Sequence, residues 1–142
     1  MSTAARHPRT PWSVRLLTAA HLACAAAFLV VVGLYLGLMA TEHVGPAELR
    51  NGAYDPKEYV PFGLSGANPF AWLHALVALL YLVGFLASPA LALLSLPLLA
   101  REWRALPRRA RVLPLVGIVS AAALPLLRLI PAVSDMHRWW LD

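Results

Sequence analysis

Three long apolar runs separated by polar segments organise the chain. The first covers residues 16–40, the second residues 70–100, and the third residues 112–133. About 20 apolar residues suffice for a helix to cross a hydrocarbon layer of roughly 30 Å. The pattern therefore predicts an all-α integral membrane protein, a bundle of three spans. A secretory signal peptide has an apolar core of only about 7–15 residues. The first run has 25 residues, so it reads as a retained span.

The polar segments complete the map. Residues 1–15 are basic, residues 41–69 form a long connection, residues 101–111 are arginine-rich, and residues 134–142 form a tail. Within the connection, Pro46 to Ala53 suits one short helix, and Tyr54 to Gly63 reads as turns. Asn68 and Pro69 suit the N-cap and first position of the second span. That span has 31 residues without a charge. At 1.5 Å per residue it would measure about 46 Å, so it must tilt, kink or protrude. Pro89 and Pro97 free the carbonyls of Phe85 and Leu93, which Ser88 and Ser95 are expected to help satisfy.

Charge sets the expected orientation. Residues 1–15 and 101–111 carry eight Lys/Arg and one acid, whereas residues 41–69 and 134–142 carry three Lys/Arg and six acids. Positive segments stay in the cytoplasm, so the N-terminus is expected inside and the C-terminus outside. Trp12, Trp72, Trp103, Trp139 and Trp140 fall at the expected span ends, as an aromatic belt does. Composition agrees: 60% of residues are hydrophobic and only 13% charged, against about 25% charged in soluble domains. The net charge of +5 lies beside apolar spans, which favours lipid headgroups over nucleic acid. Arginine outnumbers lysine eleven to one, a bias of GC-rich bacterial coding, and a bacterial plasma membrane is the expected location. Cys24 is the single cysteine, so no internal disulfide forms.

Candidate contacts follow. Ala19, Ala23, Ala26, Gly33, Gly37 and Ala40 recur at steps of three and four, with Val30 in the gap, and form one stripe along the first span. Helices in lipid associate through such small faces, so the stripe is expected to meet another helix. Arg101, Arg104, Arg108, Arg109 and Arg111 are expected to contact anionic lipid headgroups, or else an acidic cytoplasmic partner. Arg128 is the only charge inside a span. With His74 and Asp135 it makes a candidate polar or anion site.

Cofactor chemistry has little support. His21 and His74 could each ligate haem iron, but they fall in opposite leaflets and cannot share one. His43, His74 and His137, with Glu42 or Asp135, lack metal-site spacing. No Walker loop, serine elbow or HExxH is present. No metal and no cofactor is therefore expected. The leading expectation is a non-catalytic accessory or scaffold subunit, pairing through the first span with itself or with a larger membrane complex. The alternative is a small-molecule or lipid handler, either an oligomeric pore or a lipid-modifying enzyme, using the Arg128–His74 region. A haem-binding redox subunit comes third.

Overall fold

The computed structural model describes residues 11–104 and 106–141. Arg6 and Arg9 of the basic N-terminal segment lie outside them, as do Ala105 and Asp142. All regular elements among the described residues are helical. They are α1 (Trp12–Glu42), α2 (Pro46–Leu49), a 3₁₀ turn (Pro56–Tyr59), α3 (Pro69–Glu102), a second 3₁₀ turn (Arg108–Arg111), α4 (Val112–Leu127) and α5 (Pro131–Leu141). Three helical stretches are long and apolar enough to cross a membrane: Trp12–Glu42, Pro69–Glu102 and Arg108–Leu127.

Local chemistry fixes the ends. α1 stops where His43 turns left-handed, at φ 55°, a common way to close a helix. The Glu48 carboxylate then accepts from the Gly45 N–H at 2.6 Å and starts α2. Asn68 caps α3 by accepting from the Phe70 N–H at 3.0 Å, with Pro69 in the first position. Its amide nitrogen also donates to the carbonyls of Pro61 and Gly63, tying the connection to the helix start. At the arginine end, Leu106 is buried, and the Arg111 Nε donates to its carbonyl at 3.0 Å. The Arg111 guanidinium lies 4.8 Å from the centre of the Trp103 ring.

Two clusters make the core. At the arginine end, Val14, Ala92, Leu99, Leu106, Ile118 and Ala121 pack together. At the other end, beneath the 41–69 connection, α1 residues Val31, Tyr35 and Leu38 meet Leu49, Tyr81, Phe85, Met136, Trp139 and Trp140. Between the clusters the helices come closest at two glycines. A Cβ on Gly84 would lie 3.1 Å from the Cys24 Cβ, and one on Gly117 would lie 2.9 Å from the His21 Cβ. At these two points a small residue, one on α3 and one on α4, sets the helix approach.

The structure departs from the sequence map in three places. Residues 134–142 are not a loose tail: Pro131–Leu141 is α5, with Met136, His137, Trp139 and Trp140 buried. Consequently the third span does not run to Val133. It ends at Leu127, and Arg128 is its C-cap. The break follows from Pro131, which cannot supply a helical N–H and instead starts the next helix. Thirdly, Ser95 donates to the Leu91 carbonyl at 2.6 Å, not to Leu93, and the Ser88 hydroxyl has no protein partner. α3 runs unbroken through Pro89 and Pro97, both exposed, so the rings project away from the bundle.

The glycine contacts generate a prediction. Gly84→Ala and Gly117→Ala must push Cys24 or His21 away and should each cost about 1–3 kcal/mol. Gly33→Ala and Gly37→Ala meet nothing within 4 Å and should stay within about 0.5 kcal/mol of wild type. Thermal unfolding in one detergent compares the four; equal losses at all positions would contradict the packing order.

Candidate functional site

α4 is short, and that creates the site. Gly117 sits beside His21, and both helices run away from the arginine end. Ten residues further on, Leu127 stands about level with Val31. The remaining residues of α1, from Val32 to Glu42, therefore lie beyond the end of α4. α3 continues beside them: Phe28 stacks on Tyr81, with ring centres 6.3 Å apart. The α1–α3 pair is thus left with two flanks to cover. α5 covers one of them. The other holds a cavity of about 380 Å³.

The cavity is built from four elements. α1 contributes Gly33 and Gly37, whose missing side chains leave the space open. The 3₁₀ turn contributes Tyr59, α3 contributes His74, and α5 contributes Trp139 and Trp140. The other lining residues are apolar except Thr41, and none is charged. The Thr41 hydroxyl is already committed to the Gly37 and Leu38 carbonyls, at 3.1 and 3.2 Å.

The two tryptophans hold the wall. Trp139 donates its Nε1–H to the Tyr54 carbonyl at 2.6 Å and packs on Tyr35, with ring centres 5.3 Å apart. Trp140 packs on His74 at 4.9 Å. The Trp140 Nε1 and the His74 Nε2 are both shielded from water and have no protein partner. Buried polar groups are normally hydrogen-bonded, because an unmet donor costs about 1–3 kcal/mol. Two such atoms lie on neighbouring rings, both closed to a water-sized molecule.

Behind the wall, the Tyr81 hydroxyl lies 3.3 Å from the His137 Nδ1. Phe85 packs on the same imidazole at 5.0 Å. Burial holds the His137 pKa below its ordinary value, and the nearby Arg128 charge lowers it further.

The three residues of the candidate polar site are not joined by any hydrogen bond or ion pair among the described residues. His74 lines the cavity. Asp135 pairs instead with Arg50 across the connection, at 3.4 Å. Arg128 is exposed at the α4 C-cap, and its field reaches Tyr81 and His137. The small stripe lies outside the chain's own packing seam. Ala19, Ala26, Gly33, Gly37 and Ala40 are exposed and Ala23 is half-buried, while the buried α1 face carries His21, Cys24, Val31, Tyr35 and Leu38. Of the arginine cluster, Arg101, Arg104, Arg108 and Arg109 are exposed and Arg111 is half-buried. No group of three or more His, Cys, Asp or Glu able to hold a metal occurs among the described residues.

Sequence reasoning missed Trp139, Trp140, Tyr59 and His137 as site components. The signal was there in part. Val133, Met136, His137 and Trp140 repeat at helical spacing after a proline, an amphipathic pattern. No family model, curated protein or solved structure matches the chain.

The His137 environment makes α5 acid-sensitive. Its neutral ring is favoured in the folded protein, so the unfolded chain gains a proton first as pH falls below about 6.5. The contribution is intact above that pH and lost below it. Tryptophan fluorescence in detergent should report α5 loosening as pH falls below about 6.5. The His137→Phe variant should show a shallower transition; an unchanged profile would remove His137 as the cause.

Proposed function

We propose that the chain is a non-catalytic protein of a bacterial plasma membrane that holds a small apolar or amphiphilic molecule in the cavity between α1 and α3. The single observation behind this reading is the uncharged cavity of about 380 Å³, a volume within the range of small-molecule sites. The basic segments face the cytoplasm in this reading, which brings the cavity to the outer side. Arg101, Arg104, Arg108, Arg109 and Arg111 then meet anionic headgroups of the inner leaflet, each worth about 1 kcal/mol near the surface.

Cavity filling tests the reading. Gly37→Leu puts a side chain where nothing lies within 4 Å of the new Cβ. Native mass spectrometry of the purified protein should show bound apolar adducts that Gly37→Leu loses, with melting unchanged. Equal binding by both proteins would remove the cavity as the site.

A second reading rests on the exposed stripe of α1. Ala19, Ala26 and Ala40 are turned away from the bundle, and they support pairing with a second copy or with a larger membrane complex. The protein is then an accessory subunit, and Ala26→Leu, rather than Gly37→Leu, should break the assembly.

Orientation is tested separately. In a Cys24→Ala background, Asn51→Cys should react with an impermeant maleimide in intact cells, whereas Ala105→Cys should react only after lysis. The reverse pattern would invert the topology.

A further inference from the structure

We propose that the turn Val60–Gly63 is a membrane anchor that sets the Phe62 ring into the bilayer surface beside the N-terminal end of α3. The proposal goes beyond the cavity reading and does not depend on what the cavity holds. It does rest on α3 being a membrane span.

The backbone of this turn is unusual. Pro61 takes its second position, and the Gly63 N–H donates to the Val60 carbonyl at 2.9 Å. With Pro in second place, a left-handed residue in third place is ordinarily Gly or Asn. Here it is Phe62, at φ 62°. A bulky side chain at positive φ is an outlier, and an outlier that its surroundings hold in place points to function. The surroundings do hold this one. The Asn68 amide nitrogen donates to the carbonyls of Pro61 and Gly63, one on each side of Phe62. Asn68 is itself buried and caps α3 through the Phe70 N–H. The turn is thus clamped to the first residues of the span.

The clamp displays the ring instead of burying it. Phe62 is 88% exposed, and Phe70, at 6.1 Å between ring centres, is its ring neighbour. Leu64, two residues on, is exposed as well.

Charge and continuity say what covers the ring. All charges of the 41–69 connection fall at or before Glu58, and no Asp, Glu, Lys or Arg occurs from Tyr59 to Ala100. The turn therefore belongs with the uncharged span and not with the charged part of the connection. Its apolar surface also continues onto that span. Phe62 meets Phe70, and Phe70, Leu73 and Leu76 are exposed at steps of three along α3. α3 is long and apolar enough to cross a membrane, and its exposed residues stay apolar up to Phe70 and Trp72 in the first turn. Aromatic rings are favoured at such a span end, and apolar faces lying there sink about 5–10 Å into the headgroup boundary. An exposed apolar patch in this position fits lipid.

Nitrobenzoxadiazole fluorescence of the full-length protein in phosphatidylcholine vesicles, with iodide on both sides of the membrane, tests the proposal. In a Cys24→Ala background the dye is attached to Phe62→Cys, to Asn51→Cys in the charged part of the connection, or to Leu86→Cys, exposed on the middle of α3. Lipids carrying a nitroxide near the headgroup should quench the dye at position 62, and iodide should not. The dye at position 51 should show the reverse. The dye at position 86 should answer only to a nitroxide deep in the acyl chain. Equal iodide quenching at positions 62 and 51 would leave Phe62 in water and overturn the anchor. Protection at position 62 from both quenchers would overturn it too, and assign the ring to a second copy of the chain or another protein. Iodide quenching at position 86 would remove the span, and the anchor with it.

Phe62→Asn separates display from packing. Asn tolerates the left-handed backbone and removes the apolar ring. The variant should melt no lower than the wild type in detergent, yet in vesicles it should open a dye on Leu64→Cys to iodide. A lower melting temperature would mean that internal packing holds the ring, and would overturn the proposal. Should the dye on Phe62→Cys prevent folding, the dye on Leu64→Cys with Phe62 intact supplies the same comparison.

Discussion

The length of α4 is the constraint from which the rest of the arrangement follows. With 16 residues it spans about 24 Å, while α1 has 31 residues and α3 has 34. With the preceding 3₁₀ turn the helical stretch has 20 residues, long and apolar enough to cross. Past the end of α4 the α1–α3 pair is joined by α5, which brings Met136, Trp139 and Trp140 against Tyr35, Leu38 and Tyr81. Aromatic rings suit the task because few side chains can fill a wide gap.

The close glycines make the constraint rigid. Gly84 lets α3 approach Cys24, and Gly117 lets α4 approach His21. Both contacts fall on the α1 face that points inward, in the half of the bundle where all three spans run together. The helices are pinched there, and α1 and α3 continue past the end of α4 toward the connection. Gly33 and Gly37 work differently. A Cβ on either would meet nothing within 4 Å, and both keep the cavity wall thin. One residue type thus serves two purposes, close approach in one half and empty volume in the other.

This division explains what was legible in the sequence. Span number was readable because length and hydropathy are local properties. The inward face of α1 was not. Leu16, Leu29 and Leu36 are exposed, so the outward side is as apolar as the buried side. Hydrophobic periodicity has no contrast to report in that setting. The small-residue stripe is offset from His21, Cys24, Val31 and Tyr35 by about two positions, roughly 200° around the helix. Its residues are exposed apart from half-buried Ala23, and Gly33 and Gly37 among them line the cavity. α5 was hidden for the opposite reason. Asp135, His137 and Arg138 lower its hydropathy, and its apolar face has meaning only against Tyr81 and Phe85, some fifty residues away in sequence.

Arg128 shows how the charges of this region are kept from the cavity. The helix that carries it stops there, and the chain turns before Pro131. An arginine in the middle of a continuous span would need a partner or a long reach to water. At a C-cap it stands beside free carbonyls and a helix dipole that favours positive charge. Asp135, one turn into α5, is drawn to Arg50 on the connection instead. The acid is held by the connection and the guanidinium is exposed at the break, while His137 and Trp140 pack on the α3 rings of Tyr81, Phe85 and His74. The cavity wall stays uncharged although Asp135 and Arg138 occupy the same short helix as its two tryptophans. A helix lying within the apolar span could not have separated them so simply. An amphipathic one does it in part by facing: Arg138 is exposed and Asp135 half-buried, whereas Met136, His137, Trp139 and Trp140 are buried.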